Sequence, residues 1–157
     1  MIITNVMRLL KQADIDFRSA EYEVDESDLS GVHVADAVGM DKDKVFKTLV
    51  TRSDKGAYYV FVIPVAEELD LKKCAAISGN KKIDMIHVKE LLPLTGYIRG
   101  GCSPVGMKKK FPTYFDETAS LFDEIAVSGG QRGVQIIINP DLLLNYVGAE
   151  YADITKT

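Results

Sequence analysis

A lysine lies near the start of an apolar, β-branched segment, residues 45–51. Strict alternation along a strand places Lys47 and Leu49 on one face, and Phe46 and Thr48 on the other. A lysine on such a strand either carries its ammonium group to the solvated rim or holds an anion. A desolvated ammonium group beside an ester can bind a phosphate or polarise a carbonyl group.

A glycine-rich loop, residues 100–106, is the second candidate for chemistry. The adjacent Gly100 and Gly101 let the backbone approach a ligand closely and turn its N–H groups inward, where they can stabilise an oxyanion. Pro104 stiffens the loop. The alternative is an ordinary turn between two elements. The glycine spacing matches neither a dinucleotide-binding nor a P-loop fingerprint.

A third segment, residues 128–133, has the sequence SGGQRG. A hairpin turn explains its glycines, although Ser128 and Arg132 can reach a ligand from a strand end. Lys108, Lys109 and Lys110 directly follow the glycine-rich loop. Such a run is usually a solvated face, but its position also favours contact with phosphates.

The cysteines and histidines indicate neither a disulfide framework nor a metal site. The chain has two of each, Cys74 and Cys102, His33 and His87, without zinc-ligand spacing. We therefore expect no metal and no cofactor. Cys102 has no neighbouring histidine in the sequence to activate its thiol, so we interpret it as a passive pocket residue.

Composition indicates a globular protein of one domain, residues 1–157, with 46% hydrophobic and 27% charged residues. No apolar run is long enough to span a bilayer, and the N-terminus lacks a secretory signal, so we expect a cytoplasmic protein without membrane contact. The net charge of −4 argues against a general nucleic-acid binder. A protein that grips only the end of an RNA needs no more than a local basic patch.

Periodicity and turn signals predict a mixed α/β fold: a curved, barrel-like, mostly antiparallel sheet flanked by short helices. The clearest signal is a hairpin, in which residues 52–56 connect two β-branched runs. The predicted helices are 5–13, 32–38, 71–78, 88–92 and 140–147, and the predicted strands are 16–22, 45–51, 57–65, 97–99, 111–115, 125–128 and 134–138. The predicted N-terminal capping residues are Thr4, Asp70 and Asn139, and Gly39, Gly79 and Gly148 are predicted to end the second, third and fifth helices.

The three segments, in this order, resemble the YbaK/EbsC family of prolyl-tRNA editing proteins. The matching stretches are VFKTLV, FVIPVAEELDLKK, TGYIRGGCSPVGMKKKFPTYFDE and VSGGQRG. The resemblance covers almost the whole chain and is strongest over residues 45–133. It implies a compact mixed-sheet fold with flanking helices and the hydrolysis of mischarged tRNA.

The resemblance also implies roles for individual residues. Lys47 corresponds to the family lysine, and residues 100–104 to its glycine-to-proline loop, so Lys47 and Gly101 are the expected catalytic residues. Cys102 stands where many relatives are expected to have an aliphatic residue, which leaves the preferred size of the substrate open. The expected substrate-binding residues are Tyr22, Thr48, Gly100, Cys102, Ser103, Pro104, Ser128 and Asp153, and the expected tRNA-binding residues are Lys108, Lys109 and Arg132.

The resulting hypothesis is trans-editing, with Cys-tRNA(Pro) as substrate and prolyl-tRNA synthetase as a possible partner. A synthetase distinguishes amino acids that differ by one small group by only about 1–3 kcal/mol, so a second hydrolytic site is needed. The attacking group is water, the ribose hydroxyl or the substrate's own thiol. Attack by the thiol would make the enzyme a lyase. The alternatives are a deacylase for alanine or another small amino acid, a non-catalytic tRNA- or synthetase-binding module, and a small-molecule pocket protein.

Overall fold

The computed structural model describes residues 2–157 and has an α/β architecture. Five α-helices and eight strands form within these residues. The helices are α1 (Asn5–Gln12), α2 (Gly31–Val38), α3 (Leu71–Ser78), α4 (Val88–Thr95) and α5 (Pro140–Val147). The strands are β1 (Arg18–Glu21), β2 (Phe46–Ser53), β3 (Tyr58–Pro64), β4 (Ile83–Met85), β5 (Thr113–Asp116), β6 (Ile125–Ser128), β7 (Val134–Ile138) and β8 (Glu150–Ala152).

The strands form two sheets where the sequence predicted one. The smaller sheet has the order β1-β7-β6 and the larger the order β4-β2-β3-β5-β8. A parallel bridge between Val45 and Ala126 joins the start of β2 to β6. Only the pairs β3–β5 and β5–β8 are parallel, so the prediction of a mixed, mostly antiparallel fold with flanking helices is confirmed.

The helix ends follow the predicted capping residues. The side chains of Thr4, Asp70 and Asn139 accept hydrogen bonds from backbone N–H groups in the first turns of α1, α3 and α5. Glycines in the left-handed conformation end α2, α3 and α5, as predicted. None of the helices within residues 2–157 combines the length and apolarity needed to cross a membrane.

The predicted hairpin is confirmed as β2 and β3, which pair in antiparallel register from Phe46 opposite Pro64 to Arg52 opposite Tyr58. Its turn is fixed by Ser53, whose Oγ accepts hydrogen bonds from the N–H groups of Lys55 and Ala57 at 3.3 and 3.2 Å. This hairpin forms the centre of the larger sheet and carries Lys47 and Thr48 near its open end.

The predicted strand 97–99 is wrong, because the backbone there turns and its carbonyl groups are already occupied. Ile98 O accepts a hydrogen bond from the N–H of Gly101 at 2.9 Å. Arg99 O accepts one from Nε of Arg132 at 2.8 Å. The segment thus leads from the end of α4 into the glycine-rich loop without joining a sheet.

Apolar side chains from both sheets form the core. The largest cluster packs one face of α1 against β6 and β7, with Val6, Leu10 and Ile136 almost fully buried. A second cluster packs α3 beneath the larger sheet through Cys74, Phe61 and Ile63. The largest cluster also includes Phe46 and Val62 of the larger sheet, so one apolar layer joins both sheets, and the bridge at Val45 lies where they meet.

Candidate active site

A cavity of about 490 Å³ opens where the two sheets meet. Its walls come from the start of β2, the N-terminal end of α2, the β4–α4 segment, the glycine-rich loop, and the facing ends of β6 and β7. The volume lies in the range usual for small-ligand sites. Its lining is mainly apolar with a few polar side chains, among them Lys47, Thr48, Ser128 and Gln135.

Lys47 lines this cavity and is half-buried. Burial removes water from the ammonium group and lowers the pKa of Lys47, while the carboxylates of Glu67 and Glu68 raise it by a smaller amount. No ion pair within residues 2–157 includes Lys47. The described part of the chain therefore leaves this ammonium group free to pair with a bound anion or a developing negative charge.

Three uncharged polar side chains from both sheets line the same cavity: Thr48, Ser128 and Gln135. Ser128 and Gln135 are directly opposite each other in the antiparallel β6–β7 pair, so their side chains lie side by side on one face. Ser128 Oγ accepts a hydrogen bond from the N–H of Gly130 at 3.1 Å. Thr48 Oγ1 and Gln135 Oε1 are buried and have no hydrogen-bond partner within residues 2–157.

The glycine-rich loop reaches the cavity through Gly100 and Cys102, whereas Gly101 faces the backbone of the β6–β7 turn. A Cβ at Gly101 would lie 3.0 Å from Gln131 Cα and 3.1 Å from Arg132 N. The N–H of Gly101 donates to Ile98 O, so it is not available to an oxyanion, contrary to the expected role. The N–H groups of Gly100 and Cys102, the two loop residues that line the cavity, form no hydrogen bond within residues 2–157.

The other residues of the loop have structural contacts. Ser103 is fully buried, and its Oγ accepts a hydrogen bond from the N–H of Val105 at 3.2 Å. Pro104 is also buried, and neither residue lines the cavity. Burial raises the pKa of the Cys102 thiol to about 12, so the thiol is protonated at neutral pH. This protonation fits the expectation that Cys102 is a passive wall residue and not a nucleophile.

Tyr22 and Arg132 lie in a small cleft beside the cavity. The cleft shares Leu29, Val34 and Gly100 with the cavity wall, so the two spaces adjoin. Arg132 holds the glycine-rich loop through Arg99 O, and its guanidinium lies 3.9 Å from the carboxylate of Glu26. The structure thus places Tyr22 and Arg132 next to the cavity and not in its lining.

Three further residues from the sequence analysis lie outside both spaces. The carboxylate of Asp153, which directly follows the edge strand β8, pairs with Lys73 Nζ at 3.0 Å. Lys108 and Lys109 are exposed and follow the glycine-rich loop without lining the cavity. The structure therefore does not bring Asp153 together with Lys47, and it leaves the two lysines on the surface.

Sequence reasoning missed two walls of the cavity, one from the N-terminal end of α2 and one from the β4–α4 segment, and a polar strand residue, Gln135. Met85, Ile86, His87, Val88 and Leu91 form the wall from β4 and α4. Glu90 fixes this wall, since it accepts a hydrogen bond from the N–H of His87 at 2.9 Å and pairs with Arg52 of β2. Gln135 is the one polar side chain within the apolar strand 134–138. A polar residue at a position expected to be buried was the signal that could have identified it.

Electrostatically, the cavity offers hydrogen-bond donors to a ligand. The ammonium group of Lys47 and the N–H of Cys102 can stabilise an anion or a carbonyl oxygen that gains negative charge. Thr48 Oγ1 and Gln135 Oε1 are almost completely inaccessible, so these two oxygens are not exposed to the open cavity. The donors suit a small ligand that carries an ester or a phosphate.

Comparison with known proteins assigns the fold and the family. Residues 30–146 match the model of the aminoacyl-tRNA editing domain. The chain is 48% identical over 152 residues to a protein of Enterococcus faecalis (strain ATCC 700802 / V583) named "Putative Cys-tRNA(Pro)/Cys-tRNA(Cys) deacylase EbsC", covering 97% of this chain and 93% of that protein.

Two further relatives agree with this assignment. A proline–tRNA ligase of Shouchella clausii (strain KSM-K16) is 29% identical over 103 residues, which cover 66% of this chain and 18% of the ligase. A crystal structure described as "a putative trans-editing enzyme for prolyl tRNA synthetase" superimposes with a TM-score of 0.85 at 27% identity, and the match covers 100% of both chains. The resemblance seen in the sequence is thus confirmed, and the chain belongs to the aminoacyl-tRNA editing domain family.

Proposed function

We propose that this protein removes wrongly attached amino acids from tRNA in trans, with Cys-tRNA(Pro) as its substrate and residues 1–157 acting as one deacylase domain in the cytoplasm. The observation that carries the proposal is that Lys47, which has no ion-pair partner in the described residues, lines one cavity with the glycine-rich loop. The likeness to a protein named as a Cys-tRNA deacylase over 97% of the chain supports the same activity.

The proposed reaction cleaves the ester between the amino acid and the terminal ribose. A nucleophile attacks the ester carbonyl carbon, and the carbonyl oxygen gains negative charge that Lys47 and the N–H of Cys102 stabilise. The carbon–oxygen bond to the ribose then breaks, and the ribose oxygen takes up the proton lost by the nucleophile. An aminoacyl ester is already activated, so positioning and electrostatic stabilisation suffice.

The nucleophile is water or, for a cysteinyl ester, the substrate's own thiol. The protein's thiol at the cavity, Cys102, is protonated at neutral pH because burial raises its pKa to about 12, so it is a poor nucleophile. Attack by the substrate's thiol would release a cyclic thioester and make the enzyme a lyase. The protonated state of the Cys102 thiol supports both routes.

We propose that tRNA binds through a local basic surface beside the cavity, formed by Arg132, Lys108 and Lys109. Such a surface can neutralise a few backbone phosphates at the acceptor end even though the net charge of the chain is −4. We further propose that prolyl-tRNA synthetase is the partner that supplies tRNA identity, since the chain matches part of a proline–tRNA ligase.

A panel of charged tRNAs tests the function. We expect the purified protein to deacylate Cys-tRNA(Pro) faster than Ala-tRNA(Pro) and to spare Pro-tRNA(Pro), measured as initial rates above the spontaneous rate, with and without prolyl-tRNA synthetase. A higher rate on Ala-tRNA(Pro) would assign alanine as the substrate. Salt-dependent tRNA binding without ester loss would instead indicate a non-catalytic module.

A further inference from the structure

Some residues that line the cavity are also exposed, and these residues mark its mouth. They are Ser30, Met85, His87, Val88, Arg99 and Gly100. Deeper in the cavity, Lys47 is half-buried and Cys102 is buried. A ligand that places its reactive group beside Lys47 and Cys102 therefore has the rest of its body at the mouth, where the side chains decide what that part of the ligand can be.

One side of the mouth is a largely apolar wall from the β4–α4 segment. Met85 is 46% exposed and Val88 is 63% exposed, and the exposed residue His87 lies between them in the sequence. Single exposed apolar side chains are common, but two of them beside an imidazole at the opening of a cavity indicate a surface that a ligand covers. An unstacked nucleobase is a ligand group that packs against imidazole and apolar side chains.

Contacts within the fold hold this wall in place. Met85 is opposite Thr51 in the antiparallel β2–β4 pair. The N–H of His87 donates to Glu90 at 2.9 Å, and Glu90 also pairs with Arg52 of β2. A surface that is already ordered loses little conformational entropy when a ligand binds to it, so these contacts favour a binding role for the wall.

Arg99 supplies a positive charge at the same mouth. It is exposed, and no ion pair within residues 2–157 includes it. Its guanidinium group has the planar donor geometry that binds a phosphate through two parallel hydrogen bonds. A surface suited to a base and a cation suited to a phosphate thus occur together at one opening.

We infer that this mouth binds the 3′-terminal nucleotide of the tRNA: the base packs against Met85, His87 and Val88, and the 5′-phosphate of that nucleotide pairs with Arg99. The inference rests on the proposed function, in which the ester joins the amino acid to the terminal ribose. It names nucleotide-binding residues that the family resemblance did not assign. The bound nucleotide covers the exposed apolar wall and holds the ester beside Lys47.

Three synthetic cysteinyl esters test the base and the phosphate separately. The complete ester is 2′(3′)-O-cysteinyl adenosine 5′-monophosphate, the second is cysteinyl adenosine without the phosphate, and the third is the ester of an abasic ribose 5-phosphate analogue. In the wild type, we expect kcat/KM for the complete ester to exceed that for each truncated ester about tenfold or more. This expectation follows from the usual strength of base stacking and of hydrogen bonds to charged groups.

Two substitutions connect each part of the ester to its residue. Arg99→Gln should lower kcat/KM about tenfold for the two esters that carry a phosphate and by less than about twofold for cysteinyl adenosine. Val88→Ser should lower it about fivefold for the two esters that carry adenine and by less than about twofold for the abasic ester. Arg8→Gln and Leu121→Ser are the matched controls. Both residues are exposed and neither lines the cavity, so all three rates should stay within about twofold.

The outcomes separate this inference from the proposed function. If the wild type deacylates neither Cys-tRNA(Pro) nor the complete ester, both are overturned. If it deacylates Cys-tRNA(Pro) but none of the three esters, or all three at equal rates, only the nucleotide subsite is overturned. Equal slowing of all three esters by Arg99→Gln and by Val88→Ser would also overturn the subsite, as would equal losses in the control variants, because a general effect on charge or stability would then explain the results.

Discussion

The two ends of strand β2 differ in how their polar groups are satisfied. At the C-terminal end, Thr51 donates to Tyr59 O, and Ser53 accepts hydrogen bonds from two N–H groups of the hairpin turn. At the N-terminal end, Lys47 has no ion-pair partner and Thr48 has no hydrogen-bond partner within residues 2–157. Both ends belong to one continuous hairpin.

Because of this difference, we expect residues at one end of β2 to stabilise the fold and residues at the other end to act on a ligand. Polar groups at the closed end of the hairpin complete hydrogen bonds within the fold, which stabilises the native state. At the open end, where β2 meets β6, the ammonium group of Lys47 lines the cavity and remains available to a ligand. Substitutions at the closed end should therefore change stability, and substitutions at the open end should change activity.

The largest expected effect is that of Lys47→Met, which retains much of the side-chain length but removes the ammonium group. We expect kcat/KM on Cys-tRNA(Pro) to fall by about 100-fold or more, in line with the loss of an electrostatic contact to the transition state. The free energy of unfolding should not decrease, since burial disfavours the charged form of Lys47.

Lys55→Met is the control for the loss of one positive charge. Lys55 is exposed in the turn at the closed end of the hairpin, and its substitution should leave kcat/KM within about twofold, as for most surface changes. Equal losses of activity in the two variants would mean that Lys47 acts only through the net charge of the protein. That result would contradict the proposed difference in function between the two ends of β2.

The same ammonium group predicts a pH dependence. Burial lowers the pKa of Lys47 below 10.5, so the charged form is lost on raising the pH through this lowered pKa. The rate above spontaneous hydrolysis should therefore fall at alkaline pH in the wild type and not in Lys47→Met. The free energy of unfolding changes in the opposite direction. Between the pKa of Lys47 in the folded protein and its higher pKa in the unfolded chain, the unfolded chain binds more protons, so the contribution of Lys47 to stability rises with pH.

A smaller effect is expected at the glycine-rich loop. Gly101→Ala places a Cβ against the backbone of Gln131 and Arg132, which must move, and this overpacking should cost about 1–3 kcal/mol. Because the loop carries the N–H of Cys102, we also expect kcat/KM to fall about tenfold through misplacement of that donor. Chemical denaturation and deacylation assays measure the two effects.

The matched control is Gly79→Ala at the end of α3. Gly79 has a φ of +72°, and its Cβ would meet no atom within 4 Å, so the substitution strains the backbone without disturbing a neighbour. We expect a stability loss of about 1 kcal/mol and unchanged kcat/KM. A comparable loss of activity in Gly79→Ala would show that general destabilisation explains the Gly101 result.

The smallest expected effect on activity is that of Ser53→Ala at the closed end of the hairpin. The substitution leaves the N–H groups of Lys55 and Ala57 without their acceptor and should cost about 1 kcal/mol of stability. Deacylation of Cys-tRNA(Pro) should stay within about twofold of the wild type. A large loss of activity at unchanged stability would place a functional group at the closed end and contradict the division between the two ends.

Local signals predicted most of the elements correctly. The capping side chains and terminal glycines located α3 and α5 to within a residue, because those contacts lie within a few positions in the sequence. The short strands β4 and β8 were missed, since three residues carry too little periodicity and both strands depend on partners distant in sequence. The strand predicted at 97–99 failed for a related reason: its carbonyl groups are taken by Gly101 and Arg132.

For the site, the sequence identified several of the lining residues but not the hydrogen-bond and ion-pair partners of the predicted residues. Lys47, Thr48, Gly100, Cys102 and Ser128 do line one cavity, as their motifs indicated. The placement of Asp153 beside Lys73, the structural use of the Gly101 N–H, and the unpaired oxygen of Gln135 follow from contacts between distant segments. No local pattern reports such contacts.

The amino-acid sequence by itself determined the helices, the longer strands and the family, because propensity, capping and motif order are properties of short stretches of chain. The tertiary structure alone decided which polar groups are satisfied. The packing of the two sheets around the bridge at Val45 pairs some donors and acceptors within the fold and leaves Lys47 at the cavity with no ion-pair partner in residues 2–157. Whether a polar group is paired depends on neighbours from other strands, which a short stretch of chain does not specify.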